Sequence, residues 1–204
     1  MIIAIEGIDG AGKNTLVQHL RAALDVPVEV LAFPRYADSI HAQLAQEALY
    51  GRMGDLTSSA YAMATLFALD RHGVKAQLEA GAASSSLLIL DRYVASNAAY
   101  SAARLGDDSV FDWVYDLEFS RLGLPKPALQ VYLSTPVEVA AQRASSREAQ
   151  DARREKDKYE KDADLQAATA AAYARLAEAN WAGQWIAAVD KGIIIDKVLD
   201  LVGE

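Results

Sequence analysis

Apolar residues along the chain gather into five runs of strand length, at 2–5, 28–33, 87–90, 129–133 and 185–189. Several are continuous rather than alternating, as in strands buried on both faces. The segments between them have helical length and spacing, at 13–24, 40–49, 58–80, 94–104, 109–122, 136–143, 158–180 and 193–202. In the long late segment, Leu165, Thr169, Ala172 and Leu176 recur at steps of three and four and share one face. Alternating strands and helices predict an α/β fold, a three-layer sandwich with a five-stranded parallel sheet flanked by helices. No repeat, linker or low-complexity tract divides residues 1–204, so a single domain is expected. Ligands of such sheets collect beyond the carboxyl ends of the strands, and the chemistry is sought there.

The first strand runs straight into Gly7-Ile8-Asp9-Gly10-Ala11-Gly12-Lys13, with Asn14 and Thr15 opening the next helix. This is the G-x-x-x-x-G-K phosphate loop between strand and helix, a P-loop NTPase signature. Its glycines let successive N–H groups converge on a phosphate, the helix N-terminus adds positive potential, and Lys13 adds a full charge. The loop therefore predicts ATP binding through Gly7 to Thr15. Asn14 occupies the place of the usual metal-binding Ser or Thr. The metal is then expected to lean on carboxylates, chiefly Asp9.

The third run ends in Asp91-Arg92-Tyr93. A buried strand that delivers an Asp to its carboxyl end has the Walker-B arrangement and marks Asp91 as a candidate ligand of Mg²⁺. Arg92 beside it can grip an anion with two parallel hydrogen bonds. Two separate phosphate-binding cations, Lys13 and Arg92, point to two phosphate-bearing substrates and to a kinase.

Charge and composition narrow the classes. Asp and Glu number 28 against 20 Lys and Arg, a net charge of −8 that disfavours a polyanionic partner such as nucleic acid. There is no cysteine, which excludes disulfide and thiolate chemistry. No apolar stretch approaches the ~20 residues that cross a bilayer, and the start of the chain lacks the pattern of a secretion signal. A cytoplasmic protein with no membrane partner is expected.

Asp91-Arg92-Tyr93-Val94-Ala95-Ser96-Asn97-Ala98-Ala99-Tyr100 resembles the D-R-[YF]-x-x-S-x-x-A-Y signature of thymidylate kinases. Phe33-Pro34-Arg35-Tyr36, Leu66-Phe67-Ala68-Leu69-Asp70-Arg71 and Gly123-Leu124-Pro125-Lys126-Pro127 resemble further segments of that family, most nearly its actinobacterial members. The resemblance implies phosphorylation of dTMP by ATP with Mg²⁺, and a homodimer. It implies that Phe67 stacks on thymine, that Arg71 and Asn97 hydrogen-bond the base, and that Tyr100 crowds the sugar 2′ position. Arg92 and Tyr36 would hold the monophosphate, with Phe33 beside the nucleotide and Tyr159 near the sugar. Asp9 and Glu160 would serve the metal near the acceptor phosphate. Spacing agrees: Phe67 and Arg71 lie four apart, and Asn97 and Tyr100 three apart, so each pair shares a helical face.

From 143 to 161 the chain is rich in Lys, Arg, Asp and Glu and holds no large apolar residue before Tyr159. Composition alone fits a solvated charged helix as well as a mobile segment; the resemblance implies a mobile basic lid at about 144–158, with Arg143 on ATP and Arg147 and Arg154 on the developing charge. Gly10 carries no side chain where some relatives have an arginine, which shifts that task to the lid. A phosphate oxygen is already anionic, so no strong base is needed, and His19, His41 and His72 show no catalytic spacing. Two alternatives stay open at this level. One is a deoxynucleoside kinase with Glu6 as base, and the other a nucleotide-binding switch without transfer.

Overall fold

The computed structural model describes residues 1–150 and 158–203, with the side chains of 147–150, 160 and 161 also outside the description. Five strands form one parallel sheet in the order β2-β3-β1-β4-β5. They are β1 (Ile2–Glu6), β2 (Val28–Ala32), β3 (Leu87–Asp91), β4 (Leu129–Leu133) and β5 (Trp185–Ala188). The runs read from the sequence match these strands to within a residue. β1 and β4 are buried at every position, and β3 at all but its last. β2 and β5 lie at the sheet edges and stay partly exposed, which is why Glu29 is tolerated within an otherwise apolar run. Register sets Ile5 of β1 opposite Asp91 of β3, and Glu6 opposite Tyr132 of β4, so the chemistry-bearing ends line up along one rim.

The helices are α1 (Lys13–Ala23), α2 (Ile40–Leu49), α3 (Ala60–His72), α4 (Lys75–Ala83), α5 (Val94–Leu105), α6 (Val110–Tyr115), α7 (Val137–Gln150), α8 (Lys158–Lys161), α9 (Ala163–Glu178) and α10 (Lys191–Gly203). α5 packs against α9, α6 and α3, and α1 against α10. The main core joins β1, β3 and β4 to Leu16 and Leu20 of α1, Ala98 and Ala102 of α5 and Tyr173 and Leu176 of α9. A smaller cluster of Ala45, Ala48, Leu49 and Met63 holds α2 against α3, with Phe67 and Tyr159 packed onto it.

Three expected helices are interrupted. The segment 58–80 divides into α3 and α4, because Arg35 comes in against the end of α3. Arg35 donates its backbone N–H to Asp70 Oδ2 at 2.9 Å and its Nη2 to the Asp70 carbonyl at 2.8 Å. A Cβ at Gly73 would stand 3.2 Å from that Nη2. The segment 158–180 restarts at Asp162, whose carboxylate caps α9 by accepting from Leu165 N–H at 2.9 Å. The segment 109–122 begins as α6 and widens into a π-helical turn over Asp116–Arg121. Such turns cluster at functional sites. The segment 136–143 runs on to Gln150.

Candidate active site

The loop after β1 wraps the N-terminus of α1. Gly12 is its N-cap with φ +97°, a backbone angle that glycine adopts without strain. Gly10 has φ +84°, and a Cβ there would lie 2.0 Å from the Ala140 carbonyl oxygen of α7. Backbone meets backbone at this point, so an arginine is sterically excluded. Thr135, just past β4, donates its hydroxyl to the Ala11 carbonyl at 2.9 Å and ties the loop to the neighbouring strand.

Lys13 is buried and donates to the loop carbonyls of Gly7 at 3.2 Å and Ile8 at 3.1 Å. Burial is the main cause that brings its pKa down to about 8, and the nearby Arg92 charge adds to it. Around the loop opens a cleft of about 810 Å³, lined by Asp9, Lys13, Asn14, Thr15, Asp91, Arg92 and Arg143 among others. Arg143 of α7 and Lys191 of α10 both reach Gly12, within 3.6 Å of where a Cβ would stand.

Asp91 Oδ1 is buried in the wall of this cleft without a hydrogen-bond partner among the described residues. A buried, unpaired carboxylate oxygen beside a phosphate loop suits a hard cation. Mg²⁺ ordinarily takes one or two carboxylates together with substrate phosphates and water. Asp9 is differently employed. Its Oδ1 accepts from Arg92 Nη2 at 2.8 Å, and its Oδ2 accepts from the Tyr100 hydroxyl at 3.3 Å. Burial raises the Asp9 pKa, but the charges of Arg92 and Lys13 outweigh it and leave the carboxyl well below the usual range.

Arg92 stands with φ +66°, a left-handed backbone rarely used by a side-chain-bearing residue. The strain is held from both sides. Arg92 N–H donates to the Ile5 carbonyl at 2.9 Å, and Tyr93 N–H donates to Glu6 Oε1 at 2.8 Å. Glu6 is fully buried, and its Oε2 also accepts from Ser96 Oγ at 2.6 Å and from the Tyr173 hydroxyl at 3.1 Å. Ser96 and Tyr173 in turn accept from Arg92 Nη1 at 3.4 and 3.3 Å.

A second cavity, of about 430 Å³, opens on the other side of Arg92 and Asp9. Phe33, Tyr36, Phe67, Arg71, Asn97, Tyr100 and Tyr159 line it. The Tyr100 and Tyr159 rings stack with centroids 5.9 Å apart, and Arg104 Nη1 donates to the Tyr159 hydroxyl at 2.6 Å. Asp9, Phe33 and Arg92 belong to both cavities, so the two open onto a common boundary. One compartment is built for phosphates and the other for an aromatic ring with polar edges, an arrangement suited to phosphoryl transfer between two nucleotides.

Comparison with known proteins agrees with this geometry. The thymidylate kinase family model matches residues 5–191. The chain belongs to the thymidylate kinase family. It is 52% identical over 201 residues to the thymidylate kinase of Mycobacterium tuberculosis, covering 94% of each chain. It is 34% identical over 149 residues to that of Dictyostelium discoideum, covering 70% of this chain and 62% of that one. A solved thymidylate kinase from Candida albicans shares the fold, with a TM-score of 0.72 at 20% identity, over 99% of this chain and 90% of that chain. The resemblance read from the motifs, including its actinobacterial leaning, is borne out.

Most residues singled out from the sequence line one of the two compartments. Arg154 and the side chains of Arg147 and Glu160 lie outside the described residues. Arg71 is buried, and Glu118 neutralises it there by accepting from Nε at 2.5 Å and from Nη2 at 2.7 Å. Glu118 was missed. It lies 47 positions from Arg71, in a stretch with no motif, and no local signal could have found it. Ser96 and Tyr173 were also missed as partners of Arg92, although Ser96 stands within the quoted signature. Glu6, a candidate base in the nucleoside kinase alternative, lines neither cavity. Among the described residues, no helix is long and apolar enough to cross a membrane.

Proposed function

We propose that the chain transfers the γ-phosphoryl group of ATP to dTMP, giving dTDP and ADP, as a cytoplasmic homodimer with Mg²⁺. The observation that carries this reading is the common boundary of the two cavities at Asp9 and Arg92. A phosphate of the nucleotide in the aromatic compartment meets there the γ-phosphate of the nucleotide on the loop. An oxygen of the dTMP phosphate attacks the γ-phosphorus, the bond to the bridging oxygen breaks, and ADP carries that oxygen away. The attacking oxygen is already ionised, so catalysis consists of positioning and charge neutralisation.

Lys13 and Arg143 hold the donor phosphates, and Arg92 with Tyr36 holds the acceptor phosphate. Phe67 covers the base, Arg71 and Asn97 read its edge, and Tyr100 beside Tyr159 excludes a 2′-hydroxyl. Asp91 is the first candidate to hold Mg²⁺, with Asp9 near the acceptor; the ion would add positive charge against the phosphate oxygens. Arg147 and Arg154 would meet the developing charge, and Glu160 would serve the metal near the acceptor phosphate. Support for a dimer face comes from Tyr61 of α3. It is exposed and packs edge-on against Trp113 of α6, joining the two helices in one surface patch.

The test is ADP release with ATP and Mg²⁺ on dTMP, dUMP, dCMP, ribothymidine monophosphate and thymidine. Preference for dTMP is expected. Transfer to thymidine in its place would move the chain to the nucleoside kinases and remove the role given to Arg92. Light scattering of the eluted protein tests the dimer.

A further inference from the structure

We infer that Glu118, which lines neither cavity, sets the base selectivity of the site by orienting the Asn97 amide and the Arg71 guanidinium. The inference rests on the assignment of Arg71 and Asn97 to the base edge. Glu118 is fully buried on the π-helical turn. Its Oε1 accepts from Asn97 Nδ2 at 2.7 Å as well as from Arg71 Nη2 at 2.7 Å, while Oε2 accepts from Arg71 Nε at 2.5 Å. The Ala64 carbonyl accepts from the same Asn97 nitrogen at 2.9 Å.

Two acceptors therefore flank one end of a buried amide. Only the nitrogen end can face them, since an amide oxygen there would confront two oxygens with no proton between. Asn97 Oδ1 is left for the cavity that Asn97 lines. The carboxylate also occupies Nε and Nη2 of Arg71, so Nη1 is the guanidinium nitrogen left for the cavity. The site thus offers an acceptor beside a donor. Thymine and uracil present the complement, an N3–H beside the O4 carbonyl oxygen. Cytosine reverses both positions, with a bare N3 and an amino group at C4. Without Glu118, Asn97 would keep only the Ala64 carbonyl to hold its orientation, and Arg71 would keep its charge but lose its direction.

The experiment compares the wild-type enzyme with Glu118→Asp and Glu118→Gln, each assayed on dTMP, dUMP and dCMP at saturating ATP. The aspartate keeps the charge opposite Arg71 while drawing the carboxylate back by about 1.5 Å, one carbon–carbon bond. Its preference for dTMP over dCMP in kcat/KM is expected to fall at least ~10-fold, because a site that reads polar edges discriminates only while its groups are held. The fall should come from the KM for dTMP, with the KM for ATP unchanged. The dTMP to dUMP ratio should hold, because both bases present the same edge, whereas general loosening would move it. Glu118→Gln turns one acceptor into a donor and should go further. If it fails to fold, with Arg71 left unpaired, the aspartate decides. A folded variant with the wild-type dTMP to dCMP ratio overturns the inference. A wild-type enzyme indifferent between dTMP and dCMP overturns the base-edge assignment beneath it.

Discussion

Arg92 Nη2 donates to Asp9 Oδ1 at 2.8 Å, so the end of β3 is latched to the loop that follows β1. The latch stands where the two cavities meet. On the proposed reading, a phosphate arriving there finds a cation already aimed and already desolvated. Burial disfavours the charged guanidinium, but the Asp9 carboxylate paired with it outweighs that and keeps it charged.

Arg92→Lys keeps the charge and loses the planar fork. Losing hydrogen bonds to a charged partner costs about 1.5–3 kcal/mol, so kcat/KM for dTMP should fall by roughly 10- to 100-fold. The KM for ATP should stay within about threefold, because the donor phosphates rest on the loop and Lys13. Steady-state kinetics with each substrate varied in turn separates the two. An equal loss on both sides would take Arg92 off the acceptor.

Gly10→Ala tests the contact between the phosphate loop and α7. The new Cβ would lie 2.0 Å from the Ala140 carbonyl oxygen, at a backbone angle that already disfavours alanine. Overpacking and strain together should cost about 2 kcal/mol or more in stability and raise the KM for ATP. Gly106→Ala is the control, with a similar positive φ and nothing within 4 Å of the new carbon. It should cost about 1 kcal/mol and leave kinetics alone. Urea unfolding of the two variants side by side checks the difference.

The strands were legible because each is a short apolar run whose burial follows from its place in the sheet. The phosphate loop was legible because its geometry demands glycine at fixed steps. Residues whose role is set by distant partners were not. Glu118 reads as one carboxylate in a polar and apolar mixture, and only the fold brings it to Arg71 and Asn97. The break between α3 and α4 escaped for the same reason, since it depends on Arg35 reaching Asp70 from a loop 35 positions earlier. Local spacing reports what a residue can share a face with, not what arrives from another element.

Asp91→Asn and Asn14→Ser test the metal assignment. Asp91 brings to the cleft around the loop a buried oxygen that has no partner among the described residues, whereas Asn14 occupies the usual hydroxyl position. Loss of a hard anionic ligand should raise the Mg²⁺ concentration for half-maximal activity at least ~10-fold in Asp91→Asn. Restoring a hydroxyl in Asn14→Ser should change it by less than about threefold. Magnesium titrations at fixed ATP decide, and marked tightening in Asn14→Ser would return the metal to the loop.

Lys13→Met should remove turnover and yet stabilise the protein without ligand. Lys13 titrates near 10.5 when free and is brought to about 8 in the fold, chiefly by burial. Between those values the unfolded chain binds the extra proton, so stability rises with pH across that window. Below about pH 8 the wild-type protein carries the full penalty of a buried ammonium. Methionine fills the same space with no charge. At pH 7 the variant should therefore be more stable by about 2 kcal/mol, less than the whole penalty because the carbonyls of Gly7 and Ile8 lose their donor. The gap should narrow as pH climbs from 8 toward 10.5, where the wild-type lysine loses its proton in both states. Denaturant unfolding of both proteins at a series of pH values measures it. Parallel curves would mean that Lys13 is not desolvated in the fold. A converging pair would mean that the loop stores a charge at a cost to stability, which the phosphates of ATP relieve on binding.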